Sequence, residues 1–285
     1  MSATARPQGL RQHLPVIYPA MMLAVFFLVP FGIMVAFSFF HRVEGGFYEP
    51  AFELANYARF LSPLFVNALF FSLFICALAA VICVGLAMPF TYVLSRKRRR
   101  TQTAWLVFIL AILSLSEVII GFAWSVLLSR SAGVSNLFVA LGFIERSVPY
   151  TPGFTALLLG LCFLGFPYAV LVLYPSAARL DPELTEASRT LGASPFRTFF
   201  AVVVPSLRPA IVATLIMVFV FTLGSYLLPQ LLGRPQHWTL SVLITDQAVF
   251  QSNTPFAAAI AVFLTLVSLA LVGLVLLLGQ GRRAA

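Results

Sequence analysis

Residues 181–209 read DPELTEASRTLGASPFRTFFAVVVPSLRP, a charged segment between long apolar runs. Its residue types predict two short helices with a bend between them. Asp181 is a good N-cap for the first helix because its carboxylate can accept backbone N–H groups. Gly192 is a typical helix stop, whereas Ser194 caps the second helix and Pro205 ends it. We therefore expect an angled helix pair that lies across the ends of membrane spans.

The composition predicts an all-α polytopic membrane protein. Of the 285 residues, 61% are hydrophobic and only 9% are charged, and the mean hydropathy is +0.99, whereas a soluble domain is usually about 25% charged. Several apolar runs are long enough to cross a bilayer as helices. We expect six transmembrane helices at about residues 15–40, 65–94, 104–128, 154–174, 210–232 and 255–278.

The positions of Lys and Arg predict the orientation of these spans. An even number of spans puts both termini, residues 1–14 and 280–285, on the same side. If that side is the cytoplasm, the basic run at 96–100 and the segment at 181–209 are cytoplasmic as well. The outer side then keeps only these members of the 18 Lys and Arg residues: Arg42, Arg59, Arg130, Arg146 and Arg234. Because cytoplasmic loops carry the excess of Lys and Arg, this orientation is favoured.

The segment at 181–209 also carries a spaced motif. Glu186, Ala187 and Ser188 are followed after three residues by Gly192, and nine more residues precede the run Val-Val-Val-Pro at 202–205. This pattern resembles the EAA signature of permease subunits of ATP-binding-cassette importers, which reads Glu-Ala-Ala, three residues, Gly, nine residues and an Ile-x-Leu-Pro-like end. Ser188 replaces the second alanine, and two valines replace the isoleucine and the leucine.

The resemblance implies a fold, a site and partners. The fold would be that of a type I importer permease, with a transmembrane domain at 15–279 and a coupling-helix loop at 176–209. The residues that would contact the ATPase are Glu186, Ala187, Ser188, Gly192 and Pro205. The implied partners are a cytoplasmic ATPase dimer, a second permease subunit that is a different chain, and a periplasmic solute-binding protein. The implied location is the bacterial inner membrane, as a multi-pass protein.

Two further stretches extend the resemblance. Asn56-Tyr57 looks like the Asn-Tyr of this family's first outer loop. The run at 223–233, Leu-Gly-Ser-Tyr-Leu-Leu-Pro-Gln-Leu-Leu-Gly, is similar to the span-five exit of the subgroup that serves spermidine and putrescine. A polyamine is therefore the expected solute. Ferric iron or another small solute of the same group remains an alternative, because such importers take specificity largely from the binding protein.

No energy-converting or catalytic motif is visible in the sequence. Lys97 is the only lysine, and it stands in the basic run rather than in a Gly-x-x-x-x-Gly-Lys phosphate loop. We therefore expect a transport subunit that is not an enzyme, with ATP and Mg²⁺ bound by a partner ATPase. No metal site and no cofactor in this chain are predicted. An ion-coupled secondary transporter is the rival interpretation, but it would need several ionisable residues inside the membrane.

Four residues are candidates for the substrate path. Glu117 falls within the third predicted span, where an ionisable group is costly and usually faces a cavity or a partner. A carboxylate there would suit a cationic polyamine, and the alternative is a structural hydrogen bond to Ser114, Ser116 or another helix. Ser225 and the ring of Tyr226 lie at a small-residue stretch of the fifth span, and Trp124 offers a second ring for cation–π attraction. Helix packing and an interfacial aromatic belt are the alternatives for the aromatic residues.

Overall fold

The computed structural model describes residues 14–43, 46, 48–130, 133–142, 146 and 149–280, with side chains from 18 to 274. The regular elements in this part of the chain are all helical, apart from an isolated β-bridge between His41 and Glu49. The helices are α1 Leu14–Leu23, α2 Val29–Phe37, α3 Ala55–Ala58, α4 Pro63–Ser95, α5 Arg99–Leu113, α6 Glu117–Leu127, α7 Val134–Ala140, α8 Phe154–Ala178, α9 Pro182–Thr190, α10 Pro195–Thr198, α11 Val204–Ser206, α12 Arg208–Leu223, α13 Leu227–Leu232, α14 Leu240–Thr245 and α15 Thr254–Gln280. π-Helical turns lie at Ala24–Leu28, Phe199–Val203 and Asp246–Phe250.

The lengths of these helices confirm the expected polytopic fold. Among the described residues, four helical stretches can cross a membrane on their own: Tyr18–Phe37, Pro63–Ser95, Phe154–Ala178 and Thr254–Leu274. Two bent pairs raise the number to six if each pair forms one span. In the first pair Arg99–Leu113 meets Glu117–Leu127 at 89°, and in the second Pro195–Ser206 meets Arg208–Leu223 at 74°.

The third predicted span is not the single helix that its hydropathy suggests. α5 ends at Leu113, and α6 starts at Glu117 after a sharp bend. Two serines explain the break, because such side chains compete with helical backbone bonds. Ser114 donates its hydroxyl to the Leu110 carbonyl at 2.8 Å. Ser116 has an extended backbone and accepts the Val118 N–H at 3.3 Å as the N-cap of α6.

The fifth predicted span is also divided. α12 ends at Leu223, and α13 begins at Leu227. Pro229 accounts for the interruption, because a proline lacks the N–H that a continuous helix would direct to Ser225 and its ring would clash with that carbonyl. In contrast, α8 runs without a break through Gly165 and Pro167.

The described residues fall into two compact units. Among these residues, one unit comprises Leu61–Leu243 with those from Thr265 onward, and the other comprises those up to Phe60 with Ile244–Leu264. In the first unit α8 packs along α4, and α12 packs against both. Small side chains allow these backbones to approach closely. A Cβ atom added to Gly165 would lie only 3.0 Å from Cys83 Sγ.

The second unit is organised around the end of the first span. Asn56 is buried, and its amide donates to the carbonyls of Ser38 and Phe40, both at 3.0 Å. The hydroxyls of Ser38 and Tyr57 are 2.7 Å apart. These bonds pair carbonyls of the residues that directly follow the end of the helix at Phe37. Asn56-Tyr57 therefore fixes the exit of this span.

Candidate coupling segment and substrate path

The segment at 181–209, hereafter the coupling segment, forms the predicted helix pair. Asp181 Oδ1 accepts the backbone N–H of Glu183 at 2.9 Å, which caps α9. Gly192 follows α9 with a φ of +84°, a left-handed conformation that favours glycine. Ser194 then caps α10 by accepting the Arg197 N–H at 3.3 Å. Both predicted caps and the glycine stop are confirmed.

The sequence suggested that Pro205 ends the second helix, but the helix continues past this residue. α10 continues through the π turn into α11, and this helical stretch reaches Ser206. The wider turn shifts the hydrogen-bond register, since the Val204 N–H reaches the Phe199 carbonyl. Such a shift accommodates a residue without an N–H group inside a helix. The chain bends only after Ser206, and α12 begins at Arg208.

Ser188 faces inward and joins the two short helices. Its Oγ lies 3.1 Å from Oγ1 of Thr198, and Thr198 is buried. The Ala193 N–H also bonds to the Ser188 carbonyl at 3.2 Å. The serine that replaces the second alanine of the motif therefore holds α9 against α10. Glu186 and Ala187, in contrast, are exposed on the outer side of α9.

The two ends of the coupling segment are anchored in the membrane bundle. Leu180, Val203 and Leu207 belong to the same buried cluster as Cys83 of α4 and Val170 of α8. The cluster also contains residues of α12. Because protein interiors are close-packed and transmit strain, a displacement of α9 and α10 would reach all three of these helices.

The outer surface of the coupling segment carries large apolar side chains. Leu191 is 88% exposed and Phe196 is 75% exposed. Phe200 is also exposed, and its ring lies 4.7 Å from that of Phe196. Exposed apolar groups beside charged residues are typical of a surface that binds another protein.

Glu117 and Ser225 meet at the two helix breaks. Ser225 is buried and lies between α12 and α13, and its hydroxyl donates to Oε1 of Glu117. Glu117 is half-buried in the first turn of α6, where the helix dipole favours a carboxylate. The structure thus places this carboxylate at a helix start instead of inside a continuous span. It also brings together two of the four residues that the sequence singled out.

The two aromatic candidates, Trp124 and Tyr226, follow Glu117 and Ser225 in the sequence, but their surroundings differ. The Trp124 ring on α6 packs edge-on against Phe163 of α8, with centroids 5.9 Å apart. Tyr226 is half-buried and precedes α13 as its N-cap residue. The Trp124 contact is the packing role that the sequence left open as an alternative.

Leucines of α13 pack closely against two glycines that the sequence analysis did not single out. A Cβ added to Gly121 of α6 would lie 2.7 Å from Leu231 Cδ1, and one added to Gly160 of α8 would lie 2.6 Å from Leu232 Cδ1. Leu228 and Leu232 are fully buried. In the sequence, the only sign of this packing site for α13 is that Gly121 stands one helical turn after Glu117.

The protein family of the chain follows from a match over nearly its whole length. The model of the binding-protein-dependent transport system inner membrane components matches residues 13–284. The chain belongs to this family. It is accordingly a transport component and a multi-pass protein of the inner membrane.

Individual relatives agree with this assignment. The chain is 30% identical over 258 residues to the spermidine/putrescine transport system permease protein PotB of Salmonella typhimurium (strain SL1344), covering 90% of this chain and 88% of PotB. It is 29% identical over 247 residues to PotB of Escherichia coli (strain K12), covering 86% and 89%. A chain of a bacterial alginate ABC transporter, crystallised with an alginate-bound periplasmic protein, superposes with a TM-score of 0.72 at 17% identity, covering 95% and 94%. The fold is thus that of an ABC importer permease.

The structure offers no metal centre in the part of the chain that it describes. There, no three His, Cys, Asp or Glu side chains come close enough to hold a metal ion. Cys76, Cys83 and Cys162 are free thiols of α4 and α8.

Proposed function

We propose that the chain is the permease subunit of an importer for a small cationic solute, and that a partner ATPase hydrolyses the ATP. Both termini and the coupling segment face the cytoplasm in this proposal. The ATPase dimer holds the coupling segment of this chain and the matching segment of a second, different permease subunit. A periplasmic binding protein delivers the solute to the opposite side.

The observation that carries the proposal is the construction of the coupling segment. Glu186 and Ala187 stand on an exposed face beside the exposed Leu191. The same segment is anchored at Leu180 and Leu207 in the core of the membrane bundle. It therefore combines a surface for a soluble partner with a rigid connection to the spans. When the ATPases close on ATP, they draw the two coupling segments together, and the spans rotate to open the path outward.

Glu186 is the residue we assign to the polar contact with the ATPase. It is exposed, and no ion pair that involves it is present among the described residues. Its carboxylate can thus pair with a basic residue across the interface. Ala187 has a small side chain and allows close approach, whereas Gly192 and Pro205 set the shape of the segment.

The solute we favour is a polyamine such as spermidine or putrescine. The support comes from the PotB relatives, which belong to spermidine/putrescine transport systems, and from the carboxylate of Glu117 at the helix breaks. A carboxylate attracts a flexible organic cation, and a ring such as that of Tyr226 can add cation–π attraction. Ferric iron or another small solute of the group is the alternative.

The coupling role is tested by comparing two acidic residues of α9. Glu186→Ala should lose retention of the ATPase during purification and should lose ATP-dependent uptake. Glu183→Ala removes an exposed carboxylate from the same helix outside the motif and should keep both. If Glu186→Ala retains the ATPase and full uptake, the assignment of the coupling segment is wrong. If uptake proceeds with an inactive ATPase partner, an ion-coupled transporter replaces the importer.

The solute is tested separately with labelled spermidine and putrescine. Cells that lack this subunit should lose uptake, and its return on a plasmid should restore it. Unchanged polyamine uptake would remove this solute and leave the importer assignment standing. The same cells assayed with labelled ferric iron would then test the alternative.

A further inference from the structure

The turn between α4 and α5 and the first two residues of α5, together residues 96–100 and hereafter the basic turn, form a dense cluster of exposed cations. Its sequence is Arg-Lys-Arg-Arg-Arg, and all five residues are exposed. Among the described residues, none of the five takes part in an ion pair. An excess of Lys and Arg at a cytoplasmic turn is accounted for by membrane topology. Topology does not, however, require the turn to be rigid or to be linked to another segment.

Hydrogen bonds hold the basic turn in one conformation. The Gln102 amide donates to the carbonyls of Ser95 and Lys97 at 2.9 and 3.0 Å. Tyr174 of α8 donates its hydroxyl to Oε1 of Gln102 at 2.9 Å. A single side chain thus braces the backbone on either side of Arg96 and is itself held by another helix. The cations are therefore displayed from a fixed backbone.

Arg96 links the basic turn to the start of the coupling segment. Its guanidinium lies over the Tyr92 ring, 5.5 Å from the centroid, and donates to the Leu180 carbonyl at 3.2 Å. Leu180 directly precedes Asp181, the N-cap of α9. Arg96 is thus already engaged, and the four cations at 97–100 remain available to an external anion.

The position of Trp105 relates the basic turn to the bilayer. Trp105 is 45% exposed on α5, and exposed tryptophans are enriched at membrane–water interfaces. Arg100 precedes it by five residues on the same helix, a distance of about 8 Å at 1.5 Å per residue. With Trp105 at the interface, the cations at 97–100 reach the level of the lipid phosphates. Anionic lipids attract basic clusters placed in this way.

We propose that the basic turn is a binding site for the phosphate headgroups of anionic phospholipids. The four cations at 97–100 contact the headgroups, and the backbone braced by Gln102 presents them. Through Arg96 and the Leu180 carbonyl, a bound lipid steadies the start of the coupling segment. This last step rests on the proposed function, whereas lipid binding itself does not.

Quenching of Trp105 by brominated lipids tests the site. The sequence has three tryptophans, so Trp124→Phe and Trp238→Phe leave Trp105 as the sole tryptophan. The protein is reconstituted in vesicles that contain both phosphatidylcholine and phosphatidylglycerol. In one sample a fixed fraction of the total lipid is brominated phosphatidylglycerol, and in the other the same fraction is brominated phosphatidylcholine. We expect brominated phosphatidylglycerol to be enriched near Trp105 by about fivefold or more, the factor for one surface cation. Equal quenching by the two lipids would overturn the proposal.

Charge variants and free phosphate complete the test. Replacing all four cations at 97–100 by Gln should abolish the enrichment of phosphatidylglycerol near Trp105. The milder pair Arg99→Gln and Arg100→Gln should reduce this preference. Arg98→Lys, Arg99→Lys and Arg100→Lys keep the charge and should keep the preference. A preference that survives the fourfold Gln variant would place the lipid elsewhere. A preference for phosphatidylglycerol that is lost in inorganic phosphate but not in chloride of equal ionic strength would show that free phosphate competes with the headgroups for the same cations, and would support the site.

Loss of the coupling role would not affect this result. If Glu186→Ala proves silent while Trp105 still reports phosphatidylglycerol enrichment, the proposed function fails and the lipid site stands. If the enrichment is absent while Glu186→Ala uncouples transport, the lipid site fails and the proposed function stands.

Discussion

Ser225 donates its hydroxyl hydrogen to the carboxylate of Glu117, and this bond joins two helix breaks. Glu117 starts α6 after the bend from α5, and Ser225 lies between α12 and α13. α13 packs in turn against α6, where Gly121 makes room for Leu231. The bond therefore fixes a carboxylate where two half-helices meet.

Glu117→Gln should separate the charge of this residue from its hydrogen bond. The amide oxygen of Gln can still accept the Ser225 hydroxyl, but it has no charge for a cationic solute. Because hydrogen bonds to charged groups contribute about 1.5–3 kcal/mol, we expect uptake of dilute spermidine to fall about tenfold or more. The measurement is the initial uptake rate against spermidine concentration in vesicles that contain the complete transporter.

Ser225→Ala is the matched control for this prediction. It removes the hydroxyl but keeps the carboxylate, so its effect on spermidine uptake should be smaller than that of Glu117→Gln. Full transport by Glu117→Gln would make Glu117 a structural residue and would end its assignment to the substrate path.

Asn56→Asp should destabilise the exit of the first span. The buried Asn56 amide donates to two carbonyls, those of Ser38 and Phe40. A carboxylate has no hydrogen to donate and would face both oxygens, so we expect a loss of about 1–3 kcal/mol in the free energy of unfolding. Denaturant unfolding of the purified protein measures it. Asn67→Asp, at an exposed position of α4, should change this free energy little; equal losses in both variants would contradict the prediction.

His237 should make stability depend on pH. Burial lowers the pKa of His237 below its ordinary 6.5, and the charge of Arg234 lowers it further. Nδ1 accepts the Arg234 backbone N–H at 3.3 Å, and the ring stacks on Phe71 with centroids 5.4 Å apart. The folded state thus binds this proton less readily than the unfolded chain. This contribution to stability is complete above pH 6.5 and is lost as the pH falls below it.

Thermal unfolding at a series of pH values checks this sign. The melting temperature should drop as the pH is lowered below 6.5, and His237→Gln should make that drop smaller. An unchanged drop in His237→Gln would assign the pH dependence to other groups.

The caps of the coupling segment could be predicted from sequence because they depend on neighbours in the chain. Asp181 bonds two residues ahead and Ser194 three residues ahead, so the local pattern contains both partners. The bond from Ser188 to Thr198 links residues ten apart, across the bend at Gly192. No local rule selects that partner, and the inward orientation of Ser188 emerged only from the structure.

The helix breaks had local causes that hydropathy conceals. Ser114, Ser116 and Pro229 are the residues that interrupt the spans, but the surrounding runs stay apolar enough to suggest continuous helices. Pro167 shows why such signals are ambiguous, because α8 continues straight through it. The pairing of Glu117 with Ser225 depends on how the broken helices pack, so the sequence suggested only a bond to Ser114, Ser116 or an unspecified other helix.

Gly192→Ala tests whether the bend of the coupling segment matters for coupling. An added Cβ would meet nothing within 4 Å, so the substitution causes no clash, but the φ of +84° disfavours any side chain. We expect the variant to lose about 1–2 kcal/mol of stability or to shift the angle between α9 and α10. In either case ATP hydrolysis by the assembled transporter should respond less to the solute-loaded binding protein.

Gly85→Ala supplies the control for that substitution. Gly85 lies inside α4, an added Cβ there also meets nothing within 4 Å, and its backbone is helical. Alanine should therefore stabilise the protein by roughly 0.5–1 kcal/mol and should leave stimulated ATP hydrolysis unchanged. The two variants add the same methyl group, so opposite effects on stability isolate the backbone conformation at Gly192. If Gly192→Ala matches Gly85→Ala in both measurements, the left-handed bend is not required for coupling.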